Sequence, residues 1–313
     1  MKDLFGEELT CNRFQISREV LSNVLCKELK NISLDQIVPL FYNKTDAIVD
    51  FVKLCNGDRT GSKISLLFNP HRLSTPYLKA VSVYEALQKD DFFSNLARAF
   101  IFLSSYEKRD FFRVAVGLGT GGIFLIGEFP PYVAKDFYIK YQAKKILDPC
   151  AGWGGRMIGA ASIGAFYHGI DPSTQTCKGL MKLGHFLKKF ETGFDFRITC
   201  KPFEEVELDE TYDFALTSPP YYDTERYAEE STQSFKKFNS FEKWSTGFLL
   251  PLIKNTLKHT KNGFVINVGS RKYPLQKTIE ENFKCTVLGN YLNNSNVLGR
   301  NKKQGEVFIY IKQ

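Results

Sequence analysis

Ser218-Pro219-Pro220-Tyr221 combine a hydroxyl, two rigid prolines and an aromatic ring directly behind the apolar run FALT (214–217). Proline cannot donate to a strand ladder, and neighbouring prolines stiffen the chain, so the motif fixes the direction of the Pro219 carbonyl. That carbonyl and the Ser218 hydroxyl can both accept hydrogen bonds from an amino group, while Tyr221 offers a face for stacking a flat heterocycle. These residue types favour chemistry on the exocyclic amino group of a nucleobase.

An amino group attached to an aromatic ring is a poor nucleophile, because its lone pair is delocalised into the ring. Accepting its hydrogens in a geometry that favours a tetrahedral nitrogen frees the lone pair for in-line attack on an electrophilic carbon. Positioning and electrostatics then supply most of the catalysis, without a strong base. The acidic segment 221–235 suits a mobile lid better than a phosphate contact, with Tyr222 and Tyr227 as candidate base contacts.

A second candidate site, DPCAGWGGR (148–156), follows the apolar run KKIL. Its glycines allow a tight turn and a close approach of the backbone to a ligand. The loop lacks the GK[ST] ending of a P-loop and the full GxGxxG fingerprint of dinucleotide folds. Asp171 ends the next predicted strand, where a carboxylate can accept both hydroxyls of a ribose. A nucleoside ligand without a pyrophosphate, such as S-adenosylmethionine, fits this pair.

The glycines can also form an ordinary tight turn, with Asp171 as a helix cap. The motif at 218–221 makes a ligand site the favoured interpretation, because both stretches follow predicted strands of one sheet. From about residue 129 strands alternate with helices, which predicts an α/β, Rossmann-like, doubly wound sheet. The predicted strands lie in KKILDPC, FYHGIDPS, FRITCKPFEEV, YDFALTSPPY, GFVINVGS, CTVLGNYL and EVFIYIK. No helical pattern separates the last two, so they are expected to pair antiparallel.

Residues 1–128 form a predicted helix-rich region and residues 129–313 the sheet domain. Amphipathic spacing predicts helices in SREVLSNVLCKEL (with Ser17 as N-cap), TDAIVDFVKLC and DDFFSNLARAFIFL. Two apolar runs around GTGG, in FFRVAVGLGTGGIFLIGEF, predict a β-hairpin. In the sheet domain, the proline in FEKWSTGFLLPLIKNTLKHT predicts a helix in two pieces.

The composition is that of an ordinary globular protein, with 43% hydrophobic and 24% charged residues among 313. The formal net charge is +8, and from Lys254 onward eleven basic residues face three acidic ones. The seven cysteines are scattered and show no metal-ligand spacing, so we expect reduced thiols and no metal site. No stretch has the length of a signal peptide or membrane span, which favours a cytoplasmic protein.

The loop DPCAGWGGR followed by TSPPYYD resembles the S-adenosylmethionine-dependent DNA amino-methyltransferases, whose hallmarks are a DPFxGxG-type loop and a [DNS]PP[YFW] motif. The resemblance covers residues 129–313. It implies a seven-stranded methyltransferase sheet and methyl transfer from S-adenosylmethionine to a base amino group. Members with serine first usually methylate cytosine N4, which is therefore favoured over adenine N6. Enzymes with related motifs methylate RNA or a glutamine side chain of a protein. A relative that binds nucleic acid but has lost its activity is a further alternative.

The same resemblance implies roles for particular positions. Trp153 and Arg156 depart from the small residue and the threonine that the family usually has there, which can reshape the methionine end of the pocket. The implied catalytic residues are Ser218, Pro219, Pro220 and Tyr221. The implied cofactor contacts are Asp148, Cys150, Ala151, Gly152 and Gly154 in the loop, Asp171 at the ribose, Phe203 and Glu204 at the adenine, and Phe129 and Pro130 before the closing helix.

The family acts on double-stranded DNA, so a target base must be flipped out at a cost of roughly a few kcal/mol. Arg300, Lys302 and Lys303 are the candidate phosphate contacts, although they can equally form a solvated hairpin tip. Without an inserted recognition domain, the N-terminal region is expected to read the sequence, with His71 and Arg72 as candidates. A restriction endonuclease partner fits this family, while the oligomeric state stays open.

Overall fold

The computed structural model describes residues 17–75, 81–102, 127–224, 226–269, 272–289 and 307–312. The β-hairpin predicted in FFRVAVGLGTGGIFLIGEF lies almost wholly outside these residues, and the predicted phosphate contacts Arg300, Lys302 and Lys303 lie outside them as well.

The described strands form a single mixed sheet of seven strands in the order β3-β2-β1-β4-β5-β7-β6. Strands β1 to β5 pair in parallel, and β7 lies antiparallel between β5 and β6. This arrangement confirms the predicted fold class and the antiparallel pairing of the last two strands. The strands are β1 Lys145–Asp148, β2 Phe166–Asp171, β3 Asp195–Cys200, β4 Phe214–Thr217, β5 Phe264–Val268, β6 Cys285–Gly289 and β7 Val307–Ile311.

Helices connect the parallel strands and precede the sheet. Ser17 accepts a hydrogen bond from Val20 N and caps the first helix, as predicted. The helices are α1 Arg18–Leu29, α2 Leu34–Phe41, α3 Lys44–Cys55, α4 Val83–Ala86, α5 Asp90–Phe102, α6 Pro131–Lys140, α7 Gly155–Ala161, α8 Thr174–Lys188, α9 Ser234–Lys237, α10 Phe241–Trp244, α11 Leu250–Lys258 and α12 Leu275–Asn282.

Strand residues alternate between two cores, one on each face of the sheet. Ile146 packs in the core that contains α6, α7 and α8, while its neighbour Leu147 packs in the core that contains α11 and α12. Leu216 and Ala215 divide in the same way on β4. This alternation follows from the two-residue period of a strand with both faces covered.

The N-terminal helices contribute to two different cores. Phe51 and Leu54 of α3 are fully buried in the same core as Ile146 of β1, so packing continues across the domain boundary predicted at residue 128. A separate cluster joins α2, α4 and α5 around Phe93 and Leu73. None of the described helices has the length and apolar character that crossing a bilayer requires.

The stretch from α10 to α11 is one continuous helix, so the predicted division into two pieces is wrong. A π-helical turn, Ser245–Leu249, joins the two α-helical parts. Pro251 lies in the first turn after it. A proline ring clashes with the carbonyl four residues earlier in a regular α-helix, and the wider π-turn accommodates it without a break.

Candidate functional site

The candidate site lies where β1 and β4 are neighbours, the point at which strand order reverses and open α/β sheets bind ligands. Thr217, the last residue of β4, donates through Oγ1 to Asp148 Oδ1 at 2.7 Å. The same hydroxyl oxygen accepts from Cys150 N at 3.1 Å. The residue immediately before Ser218 therefore binds the start of the glycine loop, and the two predicted constellations are brought together.

Asp148 is the centre of this junction, and its side chain is fully buried. Its Oδ1 accepts from the Thr217 hydroxyl and from Cys150 N at 3.3 Å. Its Oδ2 accepts from Arg156 Nε and from the Tyr167 hydroxyl, both at 2.6 Å. A carboxylate has about four acceptor positions, so the internal hydrogen bonds occupy all of them. The side chain thus fixes the loop from inside the protein.

Arg156, on the first turn of α7, neutralises this buried charge. Its Nη2 donates to the Cys150 carbonyl, and its guanidinium carbon lies 5.0 Å from the centre of the Phe129 ring. Burial is the largest single influence and lowers the pKa of Arg156, but the charge and hydrogen bond of Asp148, together with Tyr167 and Tyr138, raise it above its ordinary value. Arg156 therefore serves the packing of the loop, and the residue is only 4% exposed.

Asp171 ends β2 and fastens the glycine loop from the other side. Its Oδ2 accepts from Gly152 N at 3.0 Å, and its Oδ1 accepts from Ser173 N at 2.9 Å. Burial raises the pKa of Asp171 to about 6, although both backbone hydrogen bonds lower it. Each oxygen keeps a second lone pair, so a diol can still donate to this carboxylate.

The glycine loop is a turn that only glycine adopts without strain. Gly152 has φ +54° and Gly154 has φ +95°, both in the left-handed region. A side chain on Gly154 would also come within 2.6 Å of Leu183 in α8. Cys150 and Ala151 lie between Asp148 and this turn, where Ala151 N donates to the Ile170 carbonyl at 2.9 Å.

Gly155 opens α7 and lies against the chain that precedes α6. A Cβ there would overlap the Phe129 carbonyl oxygen and lie 3.1 Å from Glu128 Oε1. We expect Gly155→Ala to lower the free energy of unfolding by about 1–3 kcal/mol, because the backbone must shift. Urea denaturation measures this loss. Gly127→Ala is the matched control, since a Cβ at Gly127 meets no atom within 4 Å; equal stability of the two variants would contradict the packing.

The catalytic motif begins directly after β4. The Ser218 hydroxyl is partly exposed and forms no hydrogen bond with any residue that the structure describes. Pro219 is buried, and Tyr221 is 6% exposed in a hydrophobic cluster that also includes Phe203 and Ile170. Ile170 directly precedes Asp171, so the Tyr221 ring belongs to the same end of the sheet as Asp171.

Tyr222 adopts a strained backbone conformation that aromatic packing holds in place. Its φ is +56°, which is uncommon for a residue with a bulky side chain. Its ring contacts the rings of Phe241, Trp244 and Tyr273, with centroids 5.3 to 6.3 Å apart. Tyr222 is 9% exposed and enclosed by these rings, and its role as a base contact stays a prediction.

The lid segment, here residues 226–233 of the acidic segment predicted at 221–235, packs against the glycine loop and the start of α8. The Tyr227 ring packs edge-on against Trp153, with centroids 5.6 Å apart. Both carboxylate oxygens of Glu230 accept from Thr174 N at 3.1 Å, at the start of α8 and close to Asp171 in sequence. The segment therefore packs against the glycine loop, where Trp153, a departure from the family pattern, supplies part of the contact; its movement as a lid stays a prediction.

Phe203 and Glu204 follow β3 in a short 3₁₀ turn. Phe203 is buried, and Glu204 Oε1 lies 2.8 Å from Lys237 Nζ. The other oxygen, Oε2, is buried and accepts no hydrogen bond from a described residue. This oxygen can accept from a ligand amino group.

Phe129 and Pro130 directly precede α6, where Phe129 packs over the Arg156 guanidinium.

Solved methyltransferase structures match this chain. An rRNA methylase from Streptococcus thermophilus is 13% identical, with a TM-score of 0.39 over 60% of this chain and 99% of that chain. A SAM-dependent methyltransferase from Agrobacterium tumefaciens is 16% identical, with a TM-score of 0.41 over 61% and 64%. The magnesium protoporphyrin IX methyltransferase from Synechocystis PCC 6803, solved with bound SAM, is 10% identical, with a TM-score of 0.40 over 58% and 79%.

No protein-family model matches the chain, and no curated protein matches its sequence. With TM-scores below 0.5 and identities of 10–16%, these similarities carry no argument about the substrate of this chain.

Arg72 does not lie on a surface that DNA can contact, and its prediction as a DNA-reading residue is wrong. Its side chain is 9% exposed, and Nη1 lies 3.1 Å from Glu128 Oε2. His71 is also buried: its ring lies 5.1 Å from that of Trp153, and Nε2 lies 3.2 Å from Thr176 Oγ1. Burial lowers the pKa of His71 to about 4. These residues join the N-terminal region to the glycine loop.

Thr217, Glu128 and Glu230 have no role in the sequence motifs, yet each contacts the site. The sequence offered a local indication that Thr217 contacts the site, because Thr217 is the last residue of a predicted strand and directly precedes the motif at 218–221. The sequence offered no such indication for Glu128 or Glu230. Glu128 lies 56 residues from its partner Arg72, and Glu230 lies 56 residues from its partner Thr174.

Proposed function

We propose that this protein is an S-adenosylmethionine-dependent methyltransferase that acts on the exocyclic amino group of a flipped DNA base, with cytosine N4 as the target. The observation that carries the proposal is the Thr217 hydroxyl, which links Asp148 and Cys150 N to the residue before Ser218. Because of this link, the proposed amino-group clamp and the glycine loop lie at neighbouring strand ends, where one crevice could hold both the cofactor and the target base.

The residues around the crevice fit S-adenosylmethionine, which supplies an electrophilic methyl group on a sulfonium when it is bound. Asp171 would accept the ribose hydroxyls, and Phe203 would pack against the adenine. The buried Oε2 of Glu204 accepts no hydrogen bond from a described residue, and an adenine amino group would satisfy it. A Cβ at Gly152 would meet only the Cys150 carbonyl oxygen, at 3.9 Å, so a ligand could approach the backbone closely there.

In the mechanism, the Ser218 hydroxyl and the Pro219 carbonyl accept the two hydrogens of the target amino group. This holds the nitrogen in a geometry in which its lone pair points away from the base ring. Tyr221 stacks on the base and fixes its plane. The closed lid segment excludes water while the methyl group is transferred, and the amino proton leaves once the nitrogen has been methylated.

The choice of cytosine N4 rests on the serine that opens the motif, following the family that the sequence resembles. DNA as the partner rests on the same resemblance and on the positive charge of the last sixty residues. Arg300, Lys302 and Lys303 are the proposed phosphate contacts. Each contact removed is expected to lessen the slope of log affinity against log salt by about 0.9.

The product of the reaction tests the proposal. The protein is incubated with S-adenosylmethionine labelled in the methyl group and with duplex DNA, RNA or protein extract in parallel. Each sample is digested, and the labelled species is identified by mass spectrometry. N4-methylcytosine from duplex DNA is the expected product. N6-methyladenine, methylated RNA or methylglutamine as the labelled species would overturn the cytosine assignment and name the alternative.

Ligand affinity is expected to fall at acid pH, because a ribose diol donates to the ionised form of Asp171. With a pKa of about 6 in the free protein, this carboxylate is ionised above pH 7 and protonated at pH 5. Calorimetric titration with 5′-methylthioadenosine, which has the ribose but no amino-acid end, should give constant affinity from pH 7 to 8 and about tenfold weaker binding at pH 5. Asp171→Asn should bind weakly at every pH; an unchanged pH profile in this variant would contradict the ribose role.

A further inference from the structure

Asp148 has no acceptor position left for a ligand. The resemblance assigns it to the loop that holds the methionine part of the cofactor, but its two oxygens already accept four internal hydrogen bonds. An ammonium group is held best by a charged acceptor. If an amino-acid end binds beside this loop, a different carboxylate must accept its ammonium.

Glu128 supplies a carboxylate against the same loop. A Cβ added to Gly155 would lie 3.1 Å from Glu128 Oε1, which places the carboxylate where the loop becomes α7. The Glu128 side chain is only 3% exposed, and its Oε2 is paired with Arg72. The Ser65 hydroxyl lies near this carboxylate and lowers its pKa, but Oε1 is buried and accepts no hydrogen bond of standard geometry from a described residue. A buried carboxylate oxygen without a donor is costly, unless a ligand provides one.

The N-terminal region holds this carboxylate in position. Asn69 Nδ2 donates to the Trp153 carbonyl at 3.1 Å, and the His71 ring packs against the Trp153 ring. Arg72, in the same 3₁₀ turn, contacts Glu128. Burial raises the pKa of Glu128 to about 7 in spite of Arg72. A cationic ligand group would therefore favour the ionised form.

We propose that Glu128 Oε1 binds the α-ammonium of the cofactor's amino-acid end, with Arg72 as the residue that positions the carboxylate. The inference rests on the proposed function, since it names the part of the same cofactor that Glu128 recognises. It gives the N-terminal region a role in cofactor selection: the site prefers a nucleoside that carries an ammonium over one that lacks it.

Calorimetric titration of the full chain tests this preference with two probes. They are S-adenosylhomocysteine and its desamino analogue, in which hydrogen replaces the α-ammonium. The wild-type protein is expected to bind S-adenosylhomocysteine about 10- to 100-fold more tightly than the analogue. Glu128→Gln should bind the analogue as the wild type does, but lose most of this preference. Glu207→Gln, at an exposed position whose side chain forms no hydrogen bond with a described residue, is the matched control and should keep it.

The outcomes separate the two proposals. If Glu128→Gln keeps the wild-type preference, or if the wild type shows none, the ammonium is bound elsewhere and the inference is wrong, while the proposed function stands. If the wild type binds neither probe, the cofactor proposal fails and the inference fails with it. Should Glu128→Gln not fold, Glu128→Asp keeps the charge beside Arg72 but withdraws it by one methylene, and the preference must still fall.

Discussion

Ser218→Ala is expected to lower the rate of methyl transfer by about 10²-fold and to leave the affinity for S-adenosylhomocysteine unchanged. The hydroxyl is partly exposed and has no partner among the described residues, so its removal disturbs no internal contact. What it removes is one of the two acceptors that orient the amino group in the transition state. Single-turnover kinetics with labelled cofactor measure the rate, and calorimetry measures the affinity.

Ser231→Ala is the matched control for this experiment. Ser231 is exposed, forms no hydrogen bond with a described residue and lies in the lid segment, so the same change there should leave the transfer rate within about twofold. A Ser218→Ala variant with the wild-type rate would contradict the role of the hydroxyl. A variant that also loses cofactor affinity would show that the change disturbs the glycine loop, contrary to the geometry.

Asp148→Asn is expected to lower the free energy of unfolding by about 3–5 kcal/mol, because it leaves the buried Arg156 guanidinium without a counter-charge. The shape of the side chain is nearly preserved, so the loss reports the charge and the orientation of its hydrogen bonds. Urea denaturation followed by circular dichroism measures it. The 4% exposure of Arg156 means that water cannot replace the lost partner.

Asp209→Asn makes the same chemical change at an exposed position and should alter stability by less than about 0.5 kcal/mol. A loss of similar size in both variants would contradict the special position of Asp148. The double variant Asp148→Asn/Arg156→Met should recover part of the loss, since it removes the uncompensated charge as well.

The architecture could be predicted from the sequence because each strand is a short apolar run that ends in turn residues. KILD before the glycine loop and FALT before Ser218 lie in adjacent parallel strands, as the alternating pattern predicted. The antiparallel β7 followed from the absence of a helical pattern before it. The continuous helix around Pro251 could not be predicted, because a π-turn has no periodicity of its own.

The parts of the site that the sequence did not predict depend on contacts between distant segments. Arg72 looked like a surface residue in a turn-rich stretch, but Glu128 pairs with it and buries it. Tyr222 looked like a second stacking surface, but the rings of Phe241 and Tyr273 enclose it. A motif shows which residue types lie together along the chain, whereas side-chain direction depends on which neighbours the fold supplies.

A crystal structure with S-adenosylhomocysteine tests the central claim most directly. That claim is that the glycine loop, Asp171 and Ser218–Tyr221 form one site. The account predicts that the ribose hydroxyls donate to Asp171, that the adenine lies against Phe203, and that the sulfur faces the crevice beside Ser218. A nucleoside bound away from Asp171, or a sulfur that points away from Ser218–Tyr221, would contradict it.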